Sequence, residues 1–234
     1  MITISYCVTL LLLIIKFYLK GENMKIIFLG DSITDMCRSR EDEAPVAFKY
    51  GAGYPYVVAS ELYSKFPTKY EIVNAGISGD RIVDLYSRIK KDVWNLEPDI
   101  LSILVGTNDV WHEINLQNGV ELDRFERIYR TIILETKQRF PKVKIVLCEP
   151  FFLKGSCTET SYEQFKDIYK YAEVVEKLAN ELSLPFVPLQ EKFTELGKTF
   201  GDDYYLYDGV HPTLAGSRLI ADEWFKVCKE NNLL

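Results

Sequence analysis

A serine, an aspartate and a histidine in this chain are spaced as the parts of a nucleophilic hydrolase. Ser32 follows a short apolar run at 25–29, and Asp208 and His211 stand three residues apart near the C-terminus. A serine hydroxyl becomes a good nucleophile only when a base removes its proton. His211 is a candidate for that base, and Asp208 can hold its Nδ1–H and fix the tautomer. These residues predict a serine-dependent hydrolase.

Two other residues compete for these roles. His112 is the only other histidine of the sequence, so it is the rival base. It follows Asn108 closely and has no acidic residue at a helpful spacing, and we interpret it as a pocket-rim or surface residue. Cys37 comes soon after Ser32, but no neighbouring residue marks it as an activated nucleophile.

The elements that must position these residues are visible as alternating apolar patterns. Five runs rich in Ile and Val are typical of strands buried on both faces, at 25–29, 71–74, 100–105, 144–148 and 186–188. Apolar residues at spacings of three and four predict amphipathic helices over 56–66, 82–96, 125–140, 162–182 and 214–228. Strands that alternate with such helices predict an α/β fold with a parallel sheet.

The loops after the predicted strands carry the unusual polar residues. In open parallel sheets, ligands bind at the carboxyl ends of the strands. Ser32 follows the first strand, Gly79 follows the second and Asn108 follows the third, while His211 precedes the last helix. Attack on a carbonyl creates an oxyanion that needs donors already in place. We predict three donors: the N–H of Ser32, the N–H of Gly79, which as a glycine allows close approach of the backbone, and the amide of Asn108.

Together these blocks resemble the SGNH, or GDSL, esterases and lipases. Gly30-Asp31-Ser32, Gly79, Asn108 and Asp208-x-x-His211 match that family's four blocks in order and approximate spacing, from Met24 to the last helix. The resemblance implies a flavodoxin-like three-layer α/β/α sandwich with a central five-stranded parallel sheet. It also implies ester hydrolysis through an acyl-enzyme, with no metal and no other cofactor. The α/β-hydrolase fold is disfavoured because the chain contains no G-x-S-x-G motif.

Further motifs resemble the intracellular acetylxylan esterases of that family. They include Gly51-x-Gly53-Tyr54, Asn108-Asp-Val-Trp111 and Pro150-Phe151. This likeness implies removal of acetyl groups from short, soluble sugars, with Asp31, Tyr54 and Trp111 as candidate substrate-binding residues, and an assembly larger than a monomer. Trp111 is either a platform on which a sugar stacks or a core residue, and the sequence alone favours the core. Asp31 can orient the nucleophile loop or serve the fold alone.

Two other functions fit the same pattern. A lysophospholipase or thioesterase of the family would use the same chemistry on a longer acyl chain. A non-enzymatic flavodoxin-like module would use the loop at 30–34 as an anion cradle, but it leaves Asp208 and His211 unexplained. The net charge of −6 argues against a nucleic-acid partner, because phosphate binding needs a basic face. The expected partner is a small-molecule ester.

Residues 1–23 differ in composition from the rest of the chain. The stretch 2–15 is mostly apolar, lysines follow it, and 20–23 can be encoded by a purine-rich ribosome-binding sequence just before Met24. The segment is therefore a misassigned start, a membrane anchor on the cytoplasmic side or a signal peptide. Residues 24–234 are expected to form a single hydrolase domain. Five scattered cysteines without a CxxC pair predict free thiols and a cytoplasmic location.

Overall fold

A five-stranded parallel sheet lies at the centre of the protein, of which a computed structural model describes residues 23–234. The strand order is β2-β1-β3-β4-β5. The strands are β1 Met24–Gly30, β2 Tyr70–Gly76, β3 Ile100–Leu104, β4 Lys144–Cys148 and β5 Phe186–Val187. The predicted flavodoxin-like α/β/α sandwich with five parallel strands is thereby confirmed. The apolar N-terminal segment lies outside the described residues, so its three interpretations stay predictions.

Ten α-helices accompany the sheet within residues 23–234. They are α1 Ser32–Asp35, α2 Tyr54–Lys65, α3 Ile82–Asp92, α4 Thr107–Leu116, α5 Leu122–Arg139, α6 Tyr162–Phe165, α7 Ile168–Glu181, α8 Gln190–Phe200, α9 Asp202–Tyr205 and α10 Leu214–Glu230. Short 3₁₀ turns occur at Val46–Tyr50, Trp94–Leu96 and Glu159–Ser161. None of the described helices combines the length and hydropathy that crossing a bilayer requires.

The strand order decides which helices cover which face. The chain moves from β1 to β2 in one direction across the sheet, and from β2 through β3 and β4 to β5 in the other. Right-handed crossovers therefore place α2 on one face and α3, α5 and α7 on the opposite face. The observed contacts agree, because α10 packs against α2, while α5 packs against both α3 and α7.

The core is built around β1, whose residues Ile26–Leu29 have no exposed surface. Phe28 contacts the rings of Tyr54 from α2 and Trp224 from α10, at centroid distances of 5.4 and 5.3 Å. The indole N–H of Trp224 donates to Ser102 Oγ in β3 at 3.1 Å, so this buried donor is satisfied. The strand that leads to Ser32 is therefore packed against α2 and α10 on one face and paired with β2 and β3 at its two sides.

Strand register brings the candidate loops to one edge. Gly30 is paired with Gly76 on one side and with Leu104 on the other, and Leu104 is paired with Cys148. Because these parallel strands end at the same level, the loops that follow them begin next to one another. The segments after β1, β2 and β3 therefore meet there, as the sequence predicts.

Candidate active site

The turn after β1 presents Ser32 at the first position of α1. The preceding residue, Asp31, caps this helix, because its Oδ1 accepts the N–H of Ile33 at 2.9 Å. The entry to the turn is crowded: a Cβ on Gly30 would lie 2.2 Å from Thr34 Oγ1 and 2.6 Å from Leu104 O. Glycine at position 30 therefore lets β1 turn directly into α1, and Ser32 begins the helix half-buried.

A short segment before α10 brings His211 to Ser32. The segment is closed by an antiparallel bridge between Leu206 and Pro212. Ser32 Oγ lies 2.9 Å from His211 Nε2, and His211 Nδ1 lies 2.6 Å from Asp208 Oδ2. Because the carboxylate can only accept, Nδ1–H is the donor, and Nε2 is left to accept the Ser32 hydroxyl proton. This arrangement matches the geometry of a Ser-His-Asp triad.

Asp208 is fixed by four donors. Its Oδ1 accepts the backbone N–H groups of Val210 at 2.9 Å and His211 at 2.7 Å. Its Oδ2 accepts His211 Nδ1–H and, at 3.6 Å, the thiol of Cys157. Burial alone would raise the pKa of Asp208, but the hydrogen bonds from the His211 ring and from the two backbone groups lower it to about 2. The carboxylate therefore stays ionised at neutral pH.

The pKa of His211 is shifted upward. Burial lowers the pKa of the imidazole, but the hydrogen bond and charge of Asp208 raise it overall. A higher pKa makes the neutral ring a stronger proton acceptor. His211 is therefore prepared to take a proton from Ser32 and hold it beside Asp208.

The three predicted oxyanion donors border the same edge. Within residues 23–234, neither the Ser32 N–H nor the Gly79 N–H is donated to another protein group. Gly79 has a φ of +87°, which favours glycine, and a Cβ there would meet nothing within 4 Å. The Asn108 side chain is buried near the start of α4, where its Nδ2 donates to the carbonyl of Asp80 at 3.1 Å. This bond orients the amide next to Gly79.

Comparison with known proteins identifies the family. The model of the GDSL-like lipase/acylhydrolase family matches residues 28–219. The chain belongs to this family. It is 36% identical over 207 residues to the acetylxylan esterase of Geobacillus stearothermophilus, covering 86% of this chain and 92% of that enzyme. The resemblance read from the four sequence blocks is confirmed, and the protein is an enzyme that hydrolyses carboxylic esters.

Solved structures of the family superpose over nearly the whole chain. A GDSL-like lipase of Parabacteroides merdae has a TM-score of 0.82 at 34% identity, covering 89% of this chain and 97% of its own. Axe2, an acetylxylan esterase of Geobacillus stearothermophilus, has a TM-score of 0.77 at 35% identity, covering 88% and 94%. The fold therefore agrees with that of family members from two different genera.

The rival histidine lies elsewhere in this family fold. His112 is on α4, and burial together with the charge of Arg81 lowers its pKa. Ser32 accepts no hydrogen bond from it in the described part of the chain, whereas His211 is bonded to Ser32 directly. Cys37 is an exposed free thiol. Of the two histidines, the structure brings only His211 to the serine.

The three candidate substrate-binding residues have different surroundings. Tyr54 is fully buried in the core, and its hydroxyl bonds Thr34 Oγ1 at 3.0 Å, so it has no surface to offer a substrate. Asp31 is also buried, and its hydrogen bond caps α1. Trp111 is half-buried on α4, with its ring 6.1 Å from His211. Only Trp111 therefore combines exposure with proximity to the imidazole.

Two residues beside the triad were missing from the sequence-based prediction. The exposed ring of Tyr207 stacks on the His211 ring, with centroids 5.7 Å apart and an interplanar angle of 18°. The Trp111 ring, in contrast, is tilted by 52° to the imidazole. Cys157 reaches Asp208 from the loop after β4. Tyr207 directly precedes Asp208 in the sequence, which was the available signal, whereas nothing in the sequence relates Cys157 to the site.

Proposed function

We propose that Ser32 is the nucleophile of a serine esterase, with His211 as its base and Asp208 as the residue that orients the imidazole. The observation that carries this proposal is the hydrogen-bonded line from Asp208 through His211 to Ser32 Oγ. Structures of Axe2 include variants described as catalytic mutants, one at a serine and one at an aspartate. Those two positions are separated by the same number of residues as Ser32 and Asp208, which supports the assignment.

In the acylation step, Ser32 Oγ attacks the ester carbonyl while its proton passes to His211 Nε2. The charge that develops on the carbonyl oxygen is stabilised by the N–H groups of Ser32 and Gly79 and by the amide of Asn108. His211 then gives the proton to the departing alkoxide as the carbon–oxygen bond breaks. The acyl group remains on Ser32, and the alcohol leaves.

In the deacylation step, a water molecule takes the place of the alcohol. His211 Nε2 removes a proton from the water as it attacks the acyl carbon, and the same three donors stabilise the second oxyanion. His211 then returns the proton to Ser32 Oγ, which releases the acid. Asp208 stays ionised throughout, because its pKa of about 2 is far below neutral pH.

We further propose that the acyl group is acetyl and that the alcohol is a xylo-oligosaccharide. The 36% identical relative is an acetylxylan esterase, and Axe2 is also described as an acetyl-xylooligosaccharide esterase. Trp111 and Tyr207 both place an aromatic ring next to the imidazole, and such rings offer an apolar face with a polar edge to a ligand. A single hydrolase domain at 24–234, a cytoplasmic location and a homo-oligomer stay predictions.

The acyl-chain preference tests this substrate class. We expect a higher kcat/KM for p-nitrophenyl acetate than for the decanoate, and release of acetate from acetylated xylo-oligosaccharides. Ser32→Ala serves as the control for hydrolysis that does not use the site. A higher kcat/KM for the decanoate, together with hydrolysis of lysophospholipids, would instead favour the lysophospholipase or thioesterase function.

A further inference from the structure

Arg88 joins the loop that contains Gly79 to the strand that leads to Ser32. It lies on α3, one turn after Leu85 on the buried side of that helix. Its side chain is only 12% exposed, although a guanidinium is normally well solvated. A buried cation requires partners for its N–H groups, because burying an unpaired charge is costly. The hydrogen-bond partners of Arg88 therefore identify the segments of the chain that its guanidinium holds together.

Within residues 23–234, Arg88 has four acceptor oxygens, which lie at the ends of β1, β2 and α3 and in the loop before α3. Its Nε donates to Asp80 Oδ2 at 2.6 Å, and its terminal nitrogens donate to the carbonyls of Ala75 at 2.7 Å and Gly30 at 3.1 Å. A second carboxylate, Asp92, accepts at 2.8 Å. One planar group thus ties the end of β1, just before the nucleophile turn, to the residue that follows Gly79.

The same loop residue is linked to the third oxyanion donor. The carbonyl of Asp80 accepts Asn108 Nδ2–H at 3.1 Å, while its carboxylate is held by Arg88. A shift of Asp80 would therefore move the Gly79 N–H and release the Asn108 amide together. Oxyanion donors act through fixed positions, and a misplacement of about 1 Å can reduce the rate about 10²-fold.

We propose that Arg88 is a positioning residue that sets the geometry of the oxyanion hole. This inference rests on the proposed serine-esterase function and extends it to a residue outside the triad. Arg88 touches no reacting atom, since its bonds go to Asp80 and to the strand ends. Its effect belongs to the transition state, because the carbonyl oxygen acquires its charge only there. A loss of Arg88 should therefore lower kcat more than it changes KM.

The test uses Arg88→Lys, with Arg130→Lys as its matched control. Lysine keeps the charge but cannot reproduce the planar fork that reaches several oxygens at once. Arg130 is also paired with two acids, Glu126 and Glu181, but lies on α5 away from the site. For p-nitrophenyl acetate we expect Arg88→Lys to lower kcat by about 10- to 100-fold with KM little changed. Arg130→Lys should retain the wild-type kcat.

A double-mutant cycle with Asn108→Ala separates positioning from general destabilisation. In the wild-type background, Asn108→Ala should lower kcat about 10²–10³-fold. In the Arg88→Lys background, Asn108→Ala should lower kcat by a clearly smaller factor, because the Asn108 amide is already displaced. If the kcat loss of the double variant equals the product of the two single losses, the proposal is overturned. A folded Arg88→Lys variant with wild-type kcat would also overturn it.

Asp80→Asn provides a second variant if Arg88→Lys does not fold. It weakens the link between Arg88 and the Gly79 loop while leaving the bonds of Arg88 to Gly30, Ala75 and Asp92. A lowered kcat with little change in KM supports the proposal, and an unchanged kcat contradicts it. Failure of the esterase function itself is distinguishable, because Ser32→Ala would then retain turnover whatever Arg88 does.

Discussion

Replacing Asp31 by asparagine should make the free energy of unfolding less sensitive to pH. Asp31 is 1% exposed and directly precedes Ser32. Burial raises its pKa from 3.8 to about 7, against the opposing effects of the Ile33 N–H and the charge of His211. Asparagine keeps a side-chain oxygen that can cap α1. The substitution therefore removes the titration while preserving the hydrogen bond.

The sign and size of the effect follow from proton binding. Between pH 4 and pH 7 the folded protein holds a proton on Asp31 that the unfolded chain releases. The free energy of unfolding of the wild type therefore falls by about 1.4 kcal/mol per pH unit relative to Asp31→Asn. The stabilising contribution of the protonated carboxyl is complete below pH 4 and lost above pH 7. The accumulated difference at pH 8 is at most about 4 kcal/mol.

Urea unfolding of both proteins at pH 4, 5, 6, 7 and 8 measures this difference. The matched control is Asp123→Asn, since the Asp123 side chain is 83% exposed in a long ion pair with Arg127; exposed pairs of this kind contribute little. We expect the advantage of Asp31→Asn over the wild type to grow from pH 4 to pH 7 and then to level off. If the difference in free energy of unfolding between Asp31→Asn and the wild type stays constant across this range, folded Asp31 does not carry the proton and the reasoning is refuted.

Three further substitutions test the site. Asn108→Ala should lower kcat for p-nitrophenyl acetate about 10²–10³-fold with little change in KM; steady-state kinetics showing most of the rate retained would remove Asn108 from the oxyanion hole. Asp208→Asn should lower kcat by up to about 10⁴-fold. It should also move the acid limb of the kcat/KM profile to lower pH, because Asp208 raises the pKa of His211 above 6.5 in the wild type, and an unmoved limb would contradict that assignment. Trp111→Leu should lower kcat/KM for acetylated xylo-oligosaccharides more than for p-nitrophenyl acetate; equal losses would exclude a contact with the sugar.

The sheet was largely predictable because buried parallel strands have a simple signature. All five predicted runs are strands, although β1 and β2 extend to Gly30 and Gly76 beyond the apolar residues. Those extra residues are paired with each other in the sheet. Backbone pairing, which the apolar pattern does not report, therefore sets the strand ends.

Helix α4, which carries Asn108 and Trp111, was not predicted from the sequence pattern. α4 begins with Thr107, Asn108 and Asp109, which are polar yet buried, so it lacks the apolar stripe that indicates a helix. The buried Asp109 carboxyl group accepts the N–H of Ile82 at the start of α3 instead of facing solvent. The predicted helix at 162–182 is divided into α6 and α7. Where polar residues are buried, as in α4, the apolar spacing that predicts a helix is missing from the sequence.

The proximity of Ser32, Asp208 and His211 was predictable, because the chemistry of a serine hydrolase requires these residue types, and the structure brings the three side chains together. The candidate site was unpredictable where a residue acts through the fold. Arg88 reaches Gly30 across a sequence separation of 58 residues, and Cys157 reaches Asp208 across 51. Neither separation leaves a local pattern, because these contacts exist only after the strands and loops have assembled.

Trapping the acyl-enzyme tests the central claim most directly. The protein is mixed with p-nitrophenyl acetate, quenched in acid within the first turnovers, digested and analysed by mass spectrometry. We predict one acetyl group on the peptide that contains Ser32, and neither this adduct nor turnover in Ser32→Ala. Turnover by Ser32→Ala at the wild-type rate, or an acetyl group carried on a different residue of the active enzyme, would contradict Ser32 as the nucleophile.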